Sequence, residues 1–448
     1  TVGTPYEHTF AASGGTGTYS FYHLDPMPAG LTLNSSTGVL SGTPTNAQTY
    51  SVRIRVIDIN SAHDIKTFTI AINPAVTAPS APDARIAAGG GHSLFLKKDG
   101  TVWAWGGNAQ GQLGRGTIDY TYETPNQVIG LARVKSIAAG HLFSLALKED
   151  GTVWAWGTNG NGQLGLPIGP TYNSHTPVQV AGLSGITAIS AGYNFCLALD
   201  TNGDVWAWGG NGKGQLGRTP TDEAMSIPAS ITALSNIVAI SAGYHNALAL
   251  GADGKCWSWG SNYFGELGNG TAGNASANPT PVQVTLPDGI EISGIYAGFQ
   301  NSMLFTNEGA VYGWGYNSQG SLGDGTETHR SIPTLTQYLG ITGLGGTGAF
   351  FVARKSDGTV WASGKNDFES ILIDYSENPK QVTGLTDIVH VSKSTGGNHT
   401  LAFDADGDVW AWGSNTSEQC GVNTVTGEPK KIDPPVKVLF PSATLSSA

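Results

Sequence analysis

From residue 85 onward the hydrophobic residues fall into short runs of two kinds that alternate along the chain. The first kind is a glycine-flanked apolar run, as in Ala88-Gly89-Gly90-Gly91-His92-Ser93-Leu94-Phe95-Leu96. The second follows a Lys98-Asp99-Gly100 turn and reads Val102-Trp103-Ala104-Trp105. Side chains two residues apart on a strand share a sheet face, so both indoles point one way and Val102 and Ala104 the other. A strand that is apolar on both faces predicts cover on both faces. Gly100 supplies the positive φ that a tight bend between two strands demands. The unit closes with a Gly-Asn-x-x-Gly-Gln-Leu-Gly phrase from Gly107 to Gly114, a variable polar loop, and a Pro-x-x-Val strand start at Pro125 to Val128. No segment sustains a capped helical period, and short β runs bounded by Gly, Asn and Pro make the chain all-β.

The unit recurs. Its turn glycines are Gly100, Gly151, Gly203, Gly254, Gly309, Gly358 and Gly407, a spacing of about fifty residues that marks a repeat architecture. All twelve tryptophans belong to the second run of a unit: Trp103/Trp105, Trp154/Trp156, Trp206/Trp208, Trp257/Trp259, Trp314, Trp361 and Trp410/Trp412. Four short strands per unit and seven units predict a seven-bladed β-propeller over residues 85–440, with the indoles wedged between neighbouring sheets. The sixth copy departs from the rest, because Ser363 replaces its second Trp and Gly-Gln-Leu-Gly is lost around Ser370 to Leu372. That blade is expected to be the loosest. The first copy lacks a preceding Pro-x-x-Val strand and the last lacks a following glycine-flanked strand. The expected closure is therefore strand sharing, residues 85–96 completing the blade built from 406–439, which would remove an open sheet edge and leave 441–448 as a tail.

Residues 1–74 have another texture. Tyr50-Ser51-Val52-Arg53-Ile54-Arg55-Val56-Ile57 and Phe68 to Ile72 alternate with period two, between turns such as Ser13-Gly14-Gly15-Thr16-Gly17 and Gly42-Thr43-Pro44. This predicts a small β-sandwich. Residues 75–84 form a Pro-rich, semi-rigid linker.

Two resemblances follow from these phrases. The copies of Ala-Gly-x-x-x-Ser-Leu-Ala-Leu, Asp-Gly-x-Val-Trp-x-Trp-Gly and Gly-Gln-Leu-Gly resemble the regulator-of-chromosome-condensation repeat family, whose members form seven-bladed propellers. The front module is similar to the immunoglobulin-like, or cadherin-like, modules strung along bacterial surface proteins. The opening strand usual in that family is absent before Val2-Gly3-Thr4-Pro5-Tyr6, which implies either a trimmed piece or a strand donated by another chain. The nuclear members of the propeller family exchange nucleotide on a small GTPase and touch chromatin. Bacterial proteins of the same fold inhibit β-lactamases through one propeller face, so the resemblance implies that the ring alone can be a protein-binding platform.

Charge narrows the partners. The formal net charge is −11 and no basic run is present, which disfavours nucleic acid. No apolar stretch is long enough to span a bilayer as a helix, so membrane insertion is not expected. Cys196, Cys256 and Cys420 fall at unrelated repeat positions and read as free, buried thiols.

Candidate chemistry is sparse. Asp200, Asp204, Asp404, Asp406 and Asp408 place oxygens at alternate positions of two tight turns, and Asp58, Asn60 and Asp64 do so in the front module. A hard cation suits such spacing, so these are weak calcium candidates; other copies keep the turn with fewer carboxylates, and no cofactor is required. His92 and His399 share a slot that elsewhere holds Phe143, Phe195, Asn246, Asn301 or Phe350, the mark of a packing or hydrogen-bonding position rather than a catalytic one. No nucleophile, phosphate-loop or metalloprotease motif is present, and paired carboxylates for sugar hydrolysis cannot be assigned.

The variable loops, which repeat equivalence places on one face, carry the binding-face candidates: Tyr120, Tyr122 and Glu123; Tyr172 and His175; Asp222 and Glu223; His329 and Arg330; Asp374 and Tyr375. Loops on a rigid scaffold are where recognition usually sits, and tyrosine suits contact surfaces. The sequence thus predicts a non-enzymatic protein-interaction or structural module of a bacterial secreted or cell-surface protein, with adhesion among its uses. Two alternatives stand beside it: a glycan-binding lectin or glycan-acting enzyme, and a self-assembling extracellular filament subunit joined by strand donation or head-to-tail contacts.

Overall fold

The computed structural model describes residues 5–72, 85–168, 172–219, 225–346, 350–364, 376–392, 394, 396–422 and 431–441. Two compact units result, a small N-terminal one and a large one that holds the repeats.

In the small unit, Tyr6–Thr9, Val39–Gly42 and Leu31–Leu33 form one antiparallel sheet, and Ser20–His23, Gln48–Ile57 and His63–Ile72 form another. Phe10, Phe21, Leu31, Leu40, Val52, Ile54, Ile70 and Ile72 are buried together as its core. This is the inward half of the period-two pattern.

The described residues of the large unit form seven four-stranded antiparallel sheets. Ile86–Ala88, His92–Leu96, Val102–Asn108 and Asp119–Gln127 make blade 1, hydrogen-bonded in that spatial order. The same meander recurs within residues 134–179, 186–230, 237–283, 292–335, 341–382 and 388–437, here blades 2 to 7. First strands of successive blades touch one another and line the axis. Val102, Ala104, Val153, Ala155, Val205 and Ala207 are fully buried on one face of their third strands.

The indoles do the joining. The second Trp of each pair is wholly buried, and in blades 1 to 5 the Nε1–H of the indole at this position reaches back to the loop of the preceding blade that corresponds to Gly-Gln-Leu-Gly. Trp156 donates to the Gln112 carbonyl (2.8 Å), Trp208 to Gln163 (3.0 Å), Trp259 to Gln215 (2.9 Å) and Trp314 to Glu266 (2.8 Å). The first Trp of each pair is only half-buried. A lysine covers its exposed face in three copies, Lys97 on Trp103, Lys148 on Trp154 and Lys355 on Trp361, with Nζ 3.7, 5.5 and 3.8 Å from the ring centroid.

Closure differs from the expected strand sharing. His92–Leu96 pairs with Ile86–Ala88 on one side and Val102–Asn108 on the other, all in its own blade, and blade 7 has its four strands in Ile388–Val391, His399–Asp404, Val409–Ser414 and Lys431–Lys437. One repeat, begun at its glycine-flanked strand, already equals one whole blade, so neither end lacks a part. The ring instead closes by the contact used at other seams. Trp105 donates to the Gln419 carbonyl of blade 7 at 2.9 Å. Phe440, just past the last strand, wedges against Phe95, Trp103 and Trp105 with centroids 5.1, 5.8 and 5.8 Å apart.

The sixth copy reveals a substitution in space. Ser363 stands where an indole would, and Tyr338, fully buried, sets its hydroxyl 2.8 Å from Ser363 Oγ. Ser363 Oγ in turn donates to the Ser321 carbonyl (2.9 Å), the counterpart of the glutamine carbonyls above. A Cβ added to Gly323 would meet the Tyr338 ring at 2.7 Å, just as one on Gly114 would meet Trp156 Nε1 at 2.9 Å. The phenol therefore fills the place of the missing indole. The lost Gly-Gln-Leu-Gly stretch of this copy lies outside the described residues. Trp412 Nε1 has no hydrogen-bond partner among the described residues. The three cysteines are buried and free, and burial pushes the Cys256 thiol up to about 12.

Tyr338 and Ser363 should behave as one unit. Tyr338→Leu opens a cavity and Ser363→Trp alone overfills the site, each lowering unfolding free energy by about 1–3 kcal/mol. The double substitution should recover most of that loss, with a coupling above about 1 kcal/mol in denaturant titration. Simple additivity of the two losses would show that the phenol does not occupy the indole's place.

Candidate functional site

Each blade turns from its first to its second strand at the same end where its third strand runs into the variable loop. The two turns are clamped together: the Leu142, Asn194, His245 and Gln300 carbonyls accept backbone N–H bonds from Thr158 (3.0 Å), Gly210 (2.9 Å), Ser261 (2.8 Å) and Tyr316 (2.8 Å). The axial turns and the variable loops thus share one face.

On that face the axial turns of four consecutive blades present His141, Tyr193, Tyr244 and Phe299. Ring centroids are 4.4 Å apart for His141 and Tyr193, 4.2 Å for Tyr193 and Tyr244, and 4.2 Å for Tyr244 and Phe299. All four side chains are half-buried. Their backbones are linked blade to blade: Gly90 N–H donates to the His141 carbonyl (2.8 Å), His141 to Tyr193 (3.1 Å), Tyr193 to Gly243 (3.2 Å) and Tyr244 to Gly298 (2.9 Å). Blades 1 and 7 carry Gly90 and Gly397 at the equivalent position. A Cβ on Gly90 would lie 2.4 Å from His141 Nδ1, and one on neighbouring Gly396 would lie 3.0 Å from it. The glycines make room for the imidazole, and the aromatic arc ends over them.

The arc is uncharged near neutral pH. Burial holds the His141 imidazole below its ordinary range. It brings His245, packed against Tyr244 at 4.3 Å, down to about 4, with the Lys213 charge adding to the effect. Burial raises the Tyr244 phenol, and the neighbouring Tyr193 hydroxyl adds to this. Such a surface offers ring faces and edges for contact. It has no charged acid or base poised for proton transfer.

The loop residues singled out from the sequence are dispersed. Tyr120, Tyr122 and Glu123 belong to the outer strand Asp119–Gln127 of blade 1 rather than to a loop, with Glu123 opposite Gly106; their side chains lie outside the described residues. Asp222, Glu223, Asp374 and Tyr375 also lie outside them. Tyr172 is exposed. His175 is half-buried against blade 1, where a Cβ on Gly111 would meet its ring at 2.4 Å. Arg330 is tied within its own loop, Nε donating to Asp324 Oδ2 at 2.7 Å. His329 is exposed and joins a second aromatic group, 4.8 Å from Phe264 and 5.2 Å from Tyr316, and its Nδ1 accepts the Asn317 N–H at 3.0 Å. Of the described loop candidates, His329 is the one brought into an aromatic surface. The arc itself went unread, although the residue after Ala-Gly is His, Tyr, Tyr and Phe in four successive copies, a signal visible on aligning them.

The acidic turns have other work. Asp200 Oδ1 accepts the N–H groups of Asn202 (2.9 Å) and Asp204 (3.0 Å), and its Oδ2 accepts Trp206 Nε1–H (3.0 Å). Asp404 likewise accepts from Asp408 N–H (2.8 Å) and Trp410 Nε1–H (2.8 Å). In three other copies a threonine takes the first indole instead, Thr101, Thr152 and Thr359 holding Trp103, Trp154 and Trp361 at 3.3, 3.1 and 3.0 Å. Asp406 is exposed, and Asp408 forms an ion pair with Lys437. In the small unit Asp58 binds the N–H groups of Asn60 (2.9 Å), Ala62 (2.9 Å) and Thr16 (3.1 Å), while Asp64 accepts from Ile65 (2.8 Å). Among the described residues no group of three or more His, Cys, Asp or Glu is arranged to hold a metal.

Seven sheets joined by buried aromatic rings, with loops and an aromatic arc on one face, define a β-propeller of the protein-interaction kind. A family model described as RCC1-like domain matches residues 64–294, and models of the regulator of chromosome condensation (RCC1) repeat match 308–342, 389–419 and 406–444. An Ig-domain family model matches residues 1–73. The chain is 31% identical to the ultraviolet-B receptor UVR8 of Arabidopsis thaliana over 360 residues, covering 78% of this chain and 80% of that one. It is 29% identical over 329 residues to the mitochondrial RCC1 domain-containing protein RUG3 of the same plant, covering 69% and 73%. The crystal structure of Prp20p from Saccharomyces cerevisiae superposes with a TM-score of 0.62 at 26% identity, covering 69% of this chain and 80% of that one. The chain belongs to the RCC1-like family.

Two outcomes test the assignment of the acidic turns. Calcium addition or chelation should leave the melting temperature unchanged. Asp404→Ala, which strips an indole N–H and a turn amide of their acceptor, should lower unfolding free energy by about 1–3 kcal/mol. A calcium-dependent rise in melting temperature that Asp404→Ala abolishes would hand the turn to the ion.

Proposed function

We propose that the protein is a non-enzymatic binding module that takes a protein partner on the loop-bearing face of its propeller, centred on His141, Tyr193, Tyr244 and Phe299. The observation that carries this reading is the arc itself, four half-exposed rings in mutual contact on a rigid floor of inter-blade hydrogen bonds. Rings already held in place lose little freedom on binding, and aromatic side chains with a polar tip are the commonest energetic anchors of protein interfaces. The described binding of Prp20p to Gsp1p and histones supports a protein as the partner class. The N-terminal Ig-type module supports a place outside a bacterial cell, where it would act as spacer between propeller and anchor.

The test is capture of partners from the envelope and medium of the source cell with the intact chain, then quantitative binding by the recovered partner. Alanine at Tyr193, Tyr244 or Phe299 should each weaken binding by about 30-fold or more, the equivalent of about 2 kcal/mol, with the melting temperature as control. Tyr172→Ala should be near neutral. Undiminished binding by the triple variant would rule out the arc, and selective glycan binding by the intact chain would replace the protein partner with a sugar.

A further inference from the structure

Just below the arc, each blade's second strand meets the next blade's through one recurring pair. The first residue of one second strand faces the second residue of the following one. Phe143 and Cys196 share one apolar core, and Phe195 and Ala247 share the next. Asn246 Nδ2 donates to Ser302 Oγ at 3.0 Å. Only the two seams of blade 1 use histidine in this slot. His92 Nε2 lies 3.0 Å from Ser144 Oγ of blade 2, and His399 Nε2 of blade 7 lies 2.8 Å from Ser93 Oγ of blade 1.

The protonation state of these pairs follows from the serines. Ser144 Oγ donates to the Gln112 carbonyl (2.9 Å) and Ser93 Oγ to the Gln419 carbonyl (2.7 Å). Each serine has therefore spent its proton, so each imidazole must donate from Nε2. The two rings are fully buried, and neither Nδ1 has a hydrogen-bond partner among the described residues. The titratable groups that bear on His92 are His399 and His141, neither of which can offer a negative charge.

We propose that blade 1 is held in the ring by an acid-operated clasp: as neutral donors His92 and His399 tie it to both neighbours, and protonation of the two rings releases it. A proton added at Nδ1 creates a buried cation whose new N–H has no acceptor. Two such charges, one at each seam of the same blade, also repel. Release exposes both imidazoles to water, where they can hold the proton.

The direction with pH follows. Burial holds both imidazoles down to about 3 in the closed ring, against about 6.5 in water. The open form thus binds more protons between those values. The clasp is at full strength above pH 6.5 and weakens as pH falls toward 3, each histidine shifting the opening equilibrium by up to about tenfold per pH unit.

Hydrogen exchange on the full chain, corrected for intrinsic rates, decides the matter. Between pH 7 and 5, opening of residues 86–108 and 399–421 should rise about tenfold or more, well ahead of blades 3 and 4. Two pair exchanges copy seams the ring already uses: His92→Phe with Ser144→Cys, and His399→Phe with Ser93→Ala. Each should flatten the pH dependence of melting while leaving the neutral fold in place. Should either exchange fail to fold, exchange by the unaltered chain is sufficient. Protection lost evenly around the ring, protection independent of pH, or an unchanged slope in folded exchange variants would each overturn the clasp.

Discussion

The hydrogen bond from one blade's indole to the preceding blade's Gly-Gln-Leu-Gly loop is the constraint on which the ring depends. A buried indole N–H left unpaired costs as much as a lost hydrogen bond, so each Trp that makes this bond fixes both the distance and the register between two sheets. The same ring brings a large apolar face to the wedge between them. Since Trp105 makes this bond to Gln419 as Trp156 does to Gln112, the last seam needs no special device. Phe440 adds the covering that the other seams obtain from the chain running on into the next blade.

The repeat, its period and the role of its tryptophans were legible because they depend on local patterning. Strand alternation, Asp-Gly turns and indole spacing are written in consecutive residues. The phase of the blade was not. Whether residues 86–96 begin a blade or end one depends on pairings some three hundred residues apart, and both readings satisfy the same local pattern. Tyr338 was hidden for a related reason. It sits in the connection from blade 5 to blade 6, with two strands between it and the one that carries Ser363, and only the folded seam shows its ring taking the indole's place. The carboxylates of Asp200 and Asp404 misled in the other direction. Their spacing suits a cation, but their oxygens are already taken by backbone amides and an indole.

In the sequence, length variation marks the loops and leaves the axial turns inconspicuous. Loops that differ between copies suggest recognition, yet Arg330 and His175 serve their own loop and seam. The axial turns look uniform by length and differ only by side chain. Their backbone is pinned on both sides, by the next blade and by the same blade's third strand. A side chain at such a position is free to change without disturbing the ring, and its ring plane is held when it does. That combination suits binding better than a mobile loop.

The ring is consequently unequal around its axis. The seams between blades 2 and 3 and between blades 3 and 4 are apolar at the Phe143 and Phe195 pairs. They carry the middle of the arc. Blade 1 has glycine where the arc would continue and imidazoles at both seams. His141 belongs to both regions, stacked on Tyr193 yet lying over Gly90, and its charge state bears on His92. In acid, where His141 would otherwise take up a proton, a ligand that covers it would shield it from water and keep one positive charge from the neighbourhood of His92. Occupation of the arc and closure of the ring at blade 1 should therefore favour one another, with His141 as the link between them.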